Sequence, residues 1–205
     1  MTSSNGKAPY DAAIEESART AGKALDLVKD GASHIGDIYG LLIGDQIHAA
    51  RYRRLDAITR KSQKILKDRN AEAGEVSEQI AIPLLEAAQG ESRVEMQELW
   101  ARLLANAIDT ARAEDVRPEF VDALKRMHPL DALVLEKARD IIQDPNNAVI
   151  NPVDMAGRLA IRTSRVEVSL QNLVHVNCLV SQGHAQDTRY RLVSFGIEFL
   201  LACRP

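Results

Sequence analysis

The segment from residue 129 to residue 205 constrains the fold most, because it places helical and β-prone stretches in a definite order. Apolar residues recur every three or four positions in the helical stretches and alternate with polar residues in the β-prone ones. Asn151 followed by Pro152 is a typical start of a helix. In chain order the sequence predicts a helix at 130–141, a short strand at 148–150, helices at 153–160 and 164–176, a β-hairpin from 178–180 and 188–193, and a short helix through Phe195 and Phe199.

This order of segments is typical of a winged helix-turn-helix module, in which the hairpin forms the wing. The pattern is specific for architecture but not for activity. Winged helices bind DNA, RNA or protein partners, and a fold does not determine which of them is bound.

The remainder of the chain predicts a helical body. Aromatic residues make up only 4% of the chain and apolar residues 45%, so the apolar mass lies in small and aliphatic side chains that suit helix packing. A capping-box pattern at Ser92–Glu95 predicts a helix that begins at Ser92. We therefore predict a mostly α-helical protein with an N-terminal multi-helix body and a C-terminal winged helix-turn-helix that carries a small β-hairpin wing. The predicted domains are a disordered lead-in at 1–9, the helical body at 10–128 and the winged-helix domain at 129–205.

The helix predicted at 164–176 takes the position of a recognition helix, and we expect Val168 to lie among its outward residues. A DNA-binding module adds cations that neutralise phosphates. Between 129 and 205, however, basic and acidic residues are equally numerous. This balance and the outward valine favour a protein partner, with DNA or RNA as the alternative. The predicted nucleic-acid or partner-binding residues are Arg162, Arg165, Ser169, Asn172, Arg189 and Arg191.

A second candidate surface is the densest basic stretch of the chain, which also contains Tyr52. One interpretation is a surface that binds nucleic acid or an acidic partner. The other is a solvated helix face that pairs with the acidic stretch from Glu72 to Glu98. The predicted basic surface consists of Arg51, Arg53, Arg54, Arg60, Lys61 and Lys64.

Three glycines, Gly36, Gly40 and Gly44, recur at intervals of four and would share one face of a helix. Glycine costs about 1 kcal/mol in a helix interior relative to alanine, so the stripe needs a reason. We predict a helix-packing interface, within the body or in a homo-oligomer, and a membrane-active segment is the alternative. The surrounding segment from Gly31 to Ala50 contains charged and polar residues, which argues against a stable membrane span.

Signs of catalysis are weak. The five histidines are scattered, and the sequence contains no phosphate-binding loop, nucleophile elbow or zinc-protease motif. The two cysteines, Cys178 and Cys203, do not form a metal-binding pattern. We therefore expect no enzymatic activity, no cofactor, no metal and no small-molecule substrate. The polar N-terminus lacks the apolar core of a signal peptide, so we expect a cytoplasmic protein.

The segment Glu98–Ala107, preceded by Ile82–Ala88, resembles the signature of the abortive infection alpha family. Further matches, at Phe120 with Leu124 and at His128–Ala132, extend the resemblance over roughly 40–201. The resemblance implies a bacterial or phage-borne protein associated with defence against phage, and it brings no catalytic residues with it. In physical terms the motif is a packing helix, with Trp100, Leu103 and Leu104 predicted as structural core.

These observations lead to one principal hypothesis and two rivals. We expect a non-enzymatic interaction protein of an anti-phage abortive infection system, whose body oligomerises or docks a protein and whose winged helix binds a macromolecular partner. The first rival is a DNA-binding transcriptional regulator of winged-helix type. The second is a membrane-active effector that uses the segment around the glycine stripe.

Overall fold

The computed structural model describes residues 49–142, 149–183 and 188–205. Over these ranges the chain forms eight α-helices and one two-stranded antiparallel hairpin. The prediction of a mostly helical protein with a small C-terminal hairpin is therefore confirmed. Two predictions lie outside the described residues, namely the lead-in at 1–9 and the glycine stripe of Gly36, Gly40 and Gly44.

The helices are α1 (Ala49–Arg69), α2 (Glu78–Gly90), α3 (Val94–Ile108), α4 (Pro118–Arg126), α5 (Pro129–Ile142), α6 (Pro152–Leu159), α7 (Thr163–His175) and α8 (Ser194–Ala202). The strands are β1 (Leu179–Gln182) and β2 (Arg189–Leu192). A short 3-10 turn at Ala113–Asp115 precedes α4.

The chain divides into two compact units, Met1–Glu114 and Asp115–Pro205. The first contains α1 to α3, and the second contains α4 to α8 with the hairpin. The division lies before α4, whereas the predicted helical body ends after α4, at residue 128. Phe120 of α4 explains this placement, because its ring packs edge-on against Phe195 and Phe199 of α8 with centroids 5.2 and 5.8 Å apart.

In the first unit, α3 packs against α1 and α2 and supplies much of the core. Trp100, Leu103 and Leu104 are all buried. A polar contact also joins α1 to α3, because the buried hydroxyl of Ser62 donates to the backbone carbonyl of Ala101 at 2.9 Å. The small side chain of Ala101, which is 0% exposed, lets the two backbones come this close.

The start of α3 differs from the sequence prediction. The helix begins at Val94 and Ser92 is exposed, so the predicted capping box is wrong. The carboxylate of Glu91 organises the turn instead, and accepts from the Arg93 backbone N–H at 2.8 Å and from Arg93 Nη2 at 2.6 Å. Burial raises the pKa of Glu91, but these bonds to Arg93 outweigh it and hold the pKa below its ordinary value. The helix therefore starts after Arg93 without a side-chain cap hydrogen bond.

In the second unit, β1 and β2 pair in antiparallel register, with Leu179 opposite Leu192 and Gln182 opposite Arg189. Ile150, from the strand predicted at 148–150, exchanges two backbone hydrogen bonds with Tyr190 of β2, at 2.8 and 3.0 Å. The middle position in this small sheet therefore belongs to β2, with β1 on one side and Ile150 on the other.

The start of α6 agrees with the sequence. Asn151 Oδ1 accepts from the backbone N–H groups of Val153, at 2.8 Å, and Asp154, at 3.4 Å. Pro152 occupies the first turn, where its missing N–H is not needed. The predicted Asn-Pro helix start is thus confirmed.

Replacement of two glycines in this unit by alanine should change its stability in opposite directions. At Gly196 a Cβ would overlap the backbone carbonyl oxygen of Cys178 and lie 2.9 Å from Leu192 Cδ1, so we expect Gly196→Ala to destabilise the unit by about 1–3 kcal/mol. At Gly157, inside α6, nothing lies within 4 Å, and we expect Gly157→Ala to stabilise by up to about 1 kcal/mol. Chemical denaturation followed by circular dichroism measures both. Equal shifts at the two sites would contradict the close approach of α8 to β1.

Candidate partner-binding surface

The outer side of α7 carries two of the predicted binding residues and one exposed valine. Arg162, which directly precedes the helix, and Arg165, in its first turn, are exposed, and Val168 is 68% exposed. The opposite side of α7 is buried through Val166, Leu170 and Leu173. The helix therefore presents a surface of mixed cationic and apolar character to solvent.

Ser169 and Asn172, which were expected to face outward with these residues, are directed inward. Ser169 is 2% exposed, and its Oγ donates to Asp131 Oδ1 at 2.6 Å. Asn172 is half-buried, and its Nδ2 donates to Asp131 Oδ2 at 2.7 Å and to the Arg126 backbone carbonyl at 3.0 Å. The prediction that Ser169 faces outward is thus wrong, because a buried carboxylate on another helix accepts hydrogen bonds from both side chains.

Asp131 is the centre of this network and is 4% exposed. Besides the two side chains of α7, its Oδ2 accepts the His128 backbone N–H at 2.7 Å. His128 Nδ1 accepts the Leu130 backbone N–H at 3.2 Å, so the side chains of both residues accept from backbone N–H groups at the start of α5. The same carboxylate therefore both caps α5 and holds α7 against it. This role was not predicted from the sequence, although an Asp three residues after His128 was the available signal.

The hairpin presents a second group of predicted residues. Arg189 and Arg191 are exposed, whereas Tyr190 between them is buried, as strand alternation requires. Arg191 is paired with Val180 on β1, which is 41% exposed, so cationic and apolar groups again lie side by side. Sequence reasoning had not singled out Val180.

One acidic residue of α7 acts on the hairpin. Burial raises the pKa of Tyr190, and the negative charge of Glu167 raises it further. The exposed Glu167 is therefore close enough to β2 to act on the Tyr190 hydroxyl.

The basic surface predicted in the first unit is divided between two sides of α1. Arg51, Arg53, Arg60 and Lys64 are exposed, whereas Arg54 and Lys61 are half-buried. Lys61 Nζ lies 3.6 Å from Glu98 Oε2, so one pair with the predicted acidic stretch does form.

Two further cations of α1 are bound within the first unit. Arg54 Nη1 donates to the backbone carbonyl of Gly90 at 3.4 Å. Arg69, at the end of the helix, donates from Nη1 to the buried Asn106 Oδ1 at 2.6 Å, and this nitrogen lies 3.6 Å from Asp109 Oδ2. Tyr52 is buried, so its ring is not part of the surface.

A model of a known protein family, described as abortive infection alpha, matches residues 50–203. The chain belongs to the abortive infection alpha family. No curated protein and no solved structure gives a significant match. Membership confirms the resemblance drawn from the packing helix around Trp100, and it associates the chain with abortive infection defence.

Within the matched range, the segment that carried the resemblance is α3, and His128–Ala132 is the start of α5 with the Asp131 network. Across 49–142, 149–183 and 188–205, no helix is both long and apolar enough to cross a membrane. Over the same ranges, no three His, Cys, Asp or Glu side chains come together in a way that could hold a metal ion.

Cys178 is expected to be unreactive in the folded chain. Burial raises the pKa of its thiol from 9.0 to about 12, so near pH 8 the reactive thiolate is far scarcer than in an exposed cysteine. Because the unfolded thiol ionises first, stability from this group should be lost as the pH rises from about 9 to about 12. Titration with a thiol reagent should show slow labelling of Cys178 that becomes fast in denaturant. Rapid labelling of the native chain, with Cys203→Ala as background, would contradict this burial.

Proposed function

We propose that this abortive infection alpha protein is a non-enzymatic interaction protein of anti-phage defence, and that its second unit is a winged helix that docks a protein partner. The main support for this proposal is the outer side of α7, where Arg165 and the 68% exposed Val168 lie together. An exposed apolar side chain beside a cation suits a protein interface.

The order of elements supports a winged helix. After α5 come the bridging Ile150, α6, α7 and the hairpin, as in a helix-turn-helix followed by a wing. The pairing of β2 with both β1 and Ile150 ties the wing to the segment before the helix pair. In this architecture α7 is the recognition helix, and the arginines of β2 lie on the wing.

The inward turn of Ser169 and Asn172 favours a protein partner over sequence-specific DNA. Amide and hydroxyl groups on a recognition helix are, beside arginine and lysine, the side chains that read base edges. Here both side chains are bound to Asp131.

Phage challenge of bacteria that express the chain tests the proposal. We expect Val168→Asp to abolish protection against phages that the unaltered chain restricts, because a charge replaces the apolar contact. Val153→Asp is the matched control, since this valine is 64% exposed on α6 and outside the proposed surface. Both variants should keep the helical circular dichroism of the unaltered chain. Full protection by the Val168→Asp variant would overturn the docking role of α7.

The alternative is a DNA-binding regulator, and the exposed Arg162, Arg165, Arg189 and Arg191 favour it. If these arginines neutralise phosphates, the triple variant Arg165→Gln, Arg189→Gln, Arg191→Gln should bind duplex DNA more weakly and with a flatter salt dependence. We expect no such change for a protein-docking winged helix. A clear loss of DNA affinity would replace the principal proposal with this alternative.

A further inference from the structure

Four cations of α1 form a single line, which we name the α1 stripe: Arg53, Arg60, Lys64 and Lys67. They follow one another at intervals of seven, four and three residues, which places them on one side of a helix with 3.6 residues per turn. All four are exposed. At about 1.5 Å per residue, the stripe is about 21 Å long.

The opposite side of α1 packs into the core of the first unit. Leu55, Ile58 and Leu66 are buried there, and Ser62 is hydrogen-bonded to α3. The packing therefore fixes which side of the helix faces solvent. The α1 stripe thus lies on a helix that is packed on the core of the first unit.

Most of the charge on the stripe has no ion-pair partner among the described residues. Arg60 Nε lies 2.8 Å from Asp56 Oδ2, four residues earlier. Within the described ranges Arg53, Lys64 and Lys67 have no ion pair, although the exposed Asp68 is nearby in the sequence. The acidic residues that the sequence offered as partners reach only the flank of the helix, at Lys61.

A line of unpaired cations is complementary to a line of anions. We propose that the α1 stripe binds the phosphate backbone of a nucleic-acid duplex without reading its base sequence. One strand of a duplex advances by about 3.4 Å per phosphate along the axis, so the stripe spans about six base-pair steps. Release of condensed counterions from the duplex would supply the affinity.

The form of the partner follows from what the stripe lacks. Binding of single strands relies on exposed aromatic rings on which bases stack, but Tyr52 of α1 is buried. Adsorption to a lipid surface is strongest when apolar side chains beside the cations enter the bilayer, but the apolar side of α1 lies in the core. Binding of the phosphate backbone of a duplex requires only exposed cations, and α1 presents these.

The test uses the full chain and labelled duplexes of about 20 base pairs, one of DNA and one of RNA, in a salt titration by fluorescence anisotropy. The stripe variant is Arg53→Gln, Lys64→Gln, Lys67→Gln. We expect its Kd at low salt to rise by about 10- to 100-fold. The plot of the logarithm of the association constant against the logarithm of the salt concentration should become less steep, by about 2–3. The duplex that shows this loss, DNA or RNA, identifies the source of the phosphates.

The matched control variant is Lys125→Gln, Lys137→Gln, Arg139→Gln, which removes the same charge from exposed positions of the second unit. It should bind both duplexes as the unaltered chain does. An equal loss in both variants would mean that only net charge matters and would overturn the proposal. So would unchanged affinity of the stripe variant for both duplexes. The winged-helix proposal is tested separately, through phage protection by the Val168→Asp variant.

Discussion

Replacing Trp100 by alanine should lower the free energy of unfolding of the first unit by about 3–5 kcal/mol. The indole is 1% exposed at the middle of α3, the helix that packs against both α1 and α2. Removal of so large a side chain forfeits its transfer free energy and leaves a cavity that neighbouring aliphatic groups cannot fill. Since a domain is stable by only about 5–15 kcal/mol, the unit should be close to unfolding.

Urea denaturation followed by circular dichroism measures this loss, because Trp100 is the only tryptophan of the chain and its fluorescence disappears with the substitution. Val94→Ala is the control on the same helix. Val94 is 65% exposed, so its truncation should change stability by less than about 0.5 kcal/mol. A loss at Trp100 as small as that at Val94 would show that α3 is not the core of the unit.

Asp131→Ala should destabilise the second unit by about 3–5 kcal/mol. The change leaves three donors without their acceptor: the Ser169 hydroxyl, the Asn172 amide and the His128 backbone N–H. Each buried donor left unpaired costs about 1–3 kcal/mol, less where water can enter. The start of α5 and the attachment of α7 should loosen together.

Thermal and urea denaturation of the variant test this expectation, with Asp122→Ala on α4 as the control. The Asp122 side chain is 68% exposed and its ion pair with Lys125 is 3.9 Å long, so its loss should have little effect. Asp131→Asn, which keeps the shape and one acceptor, should lie between the two. If the Asp131→Ala variant unfolds at the same temperature and urea concentration as the unaltered chain, the hydrogen-bond network is not what holds α7 in place.

The sequence predicted well those features that depend on neighbouring residues. Asn151 and Pro152 start α6 as expected, because capping is a contact between a side chain and N–H groups two and three positions later. The capping box at Ser92 does not form: α3 starts after Arg93 without a side-chain cap hydrogen bond, and the Glu91 carboxylate binds Arg93 in the turn before it. A capping pattern in the sequence therefore does not by itself establish the cap.

Family membership, the helical class and the order of the elements after Pro129 were determined by the sequence itself, since periodicity and turn residues are local properties. Only the tertiary structure decided which sides of α1 and α7 face solvent. Ser169 lies 38 positions from Asp131 in sequence, and Ser62 lies 39 from Ala101, yet these pairs set the rotation of their helices. The outer side of a helix is defined by what its inner side contacts, and such contacts join residues that no local pattern relates.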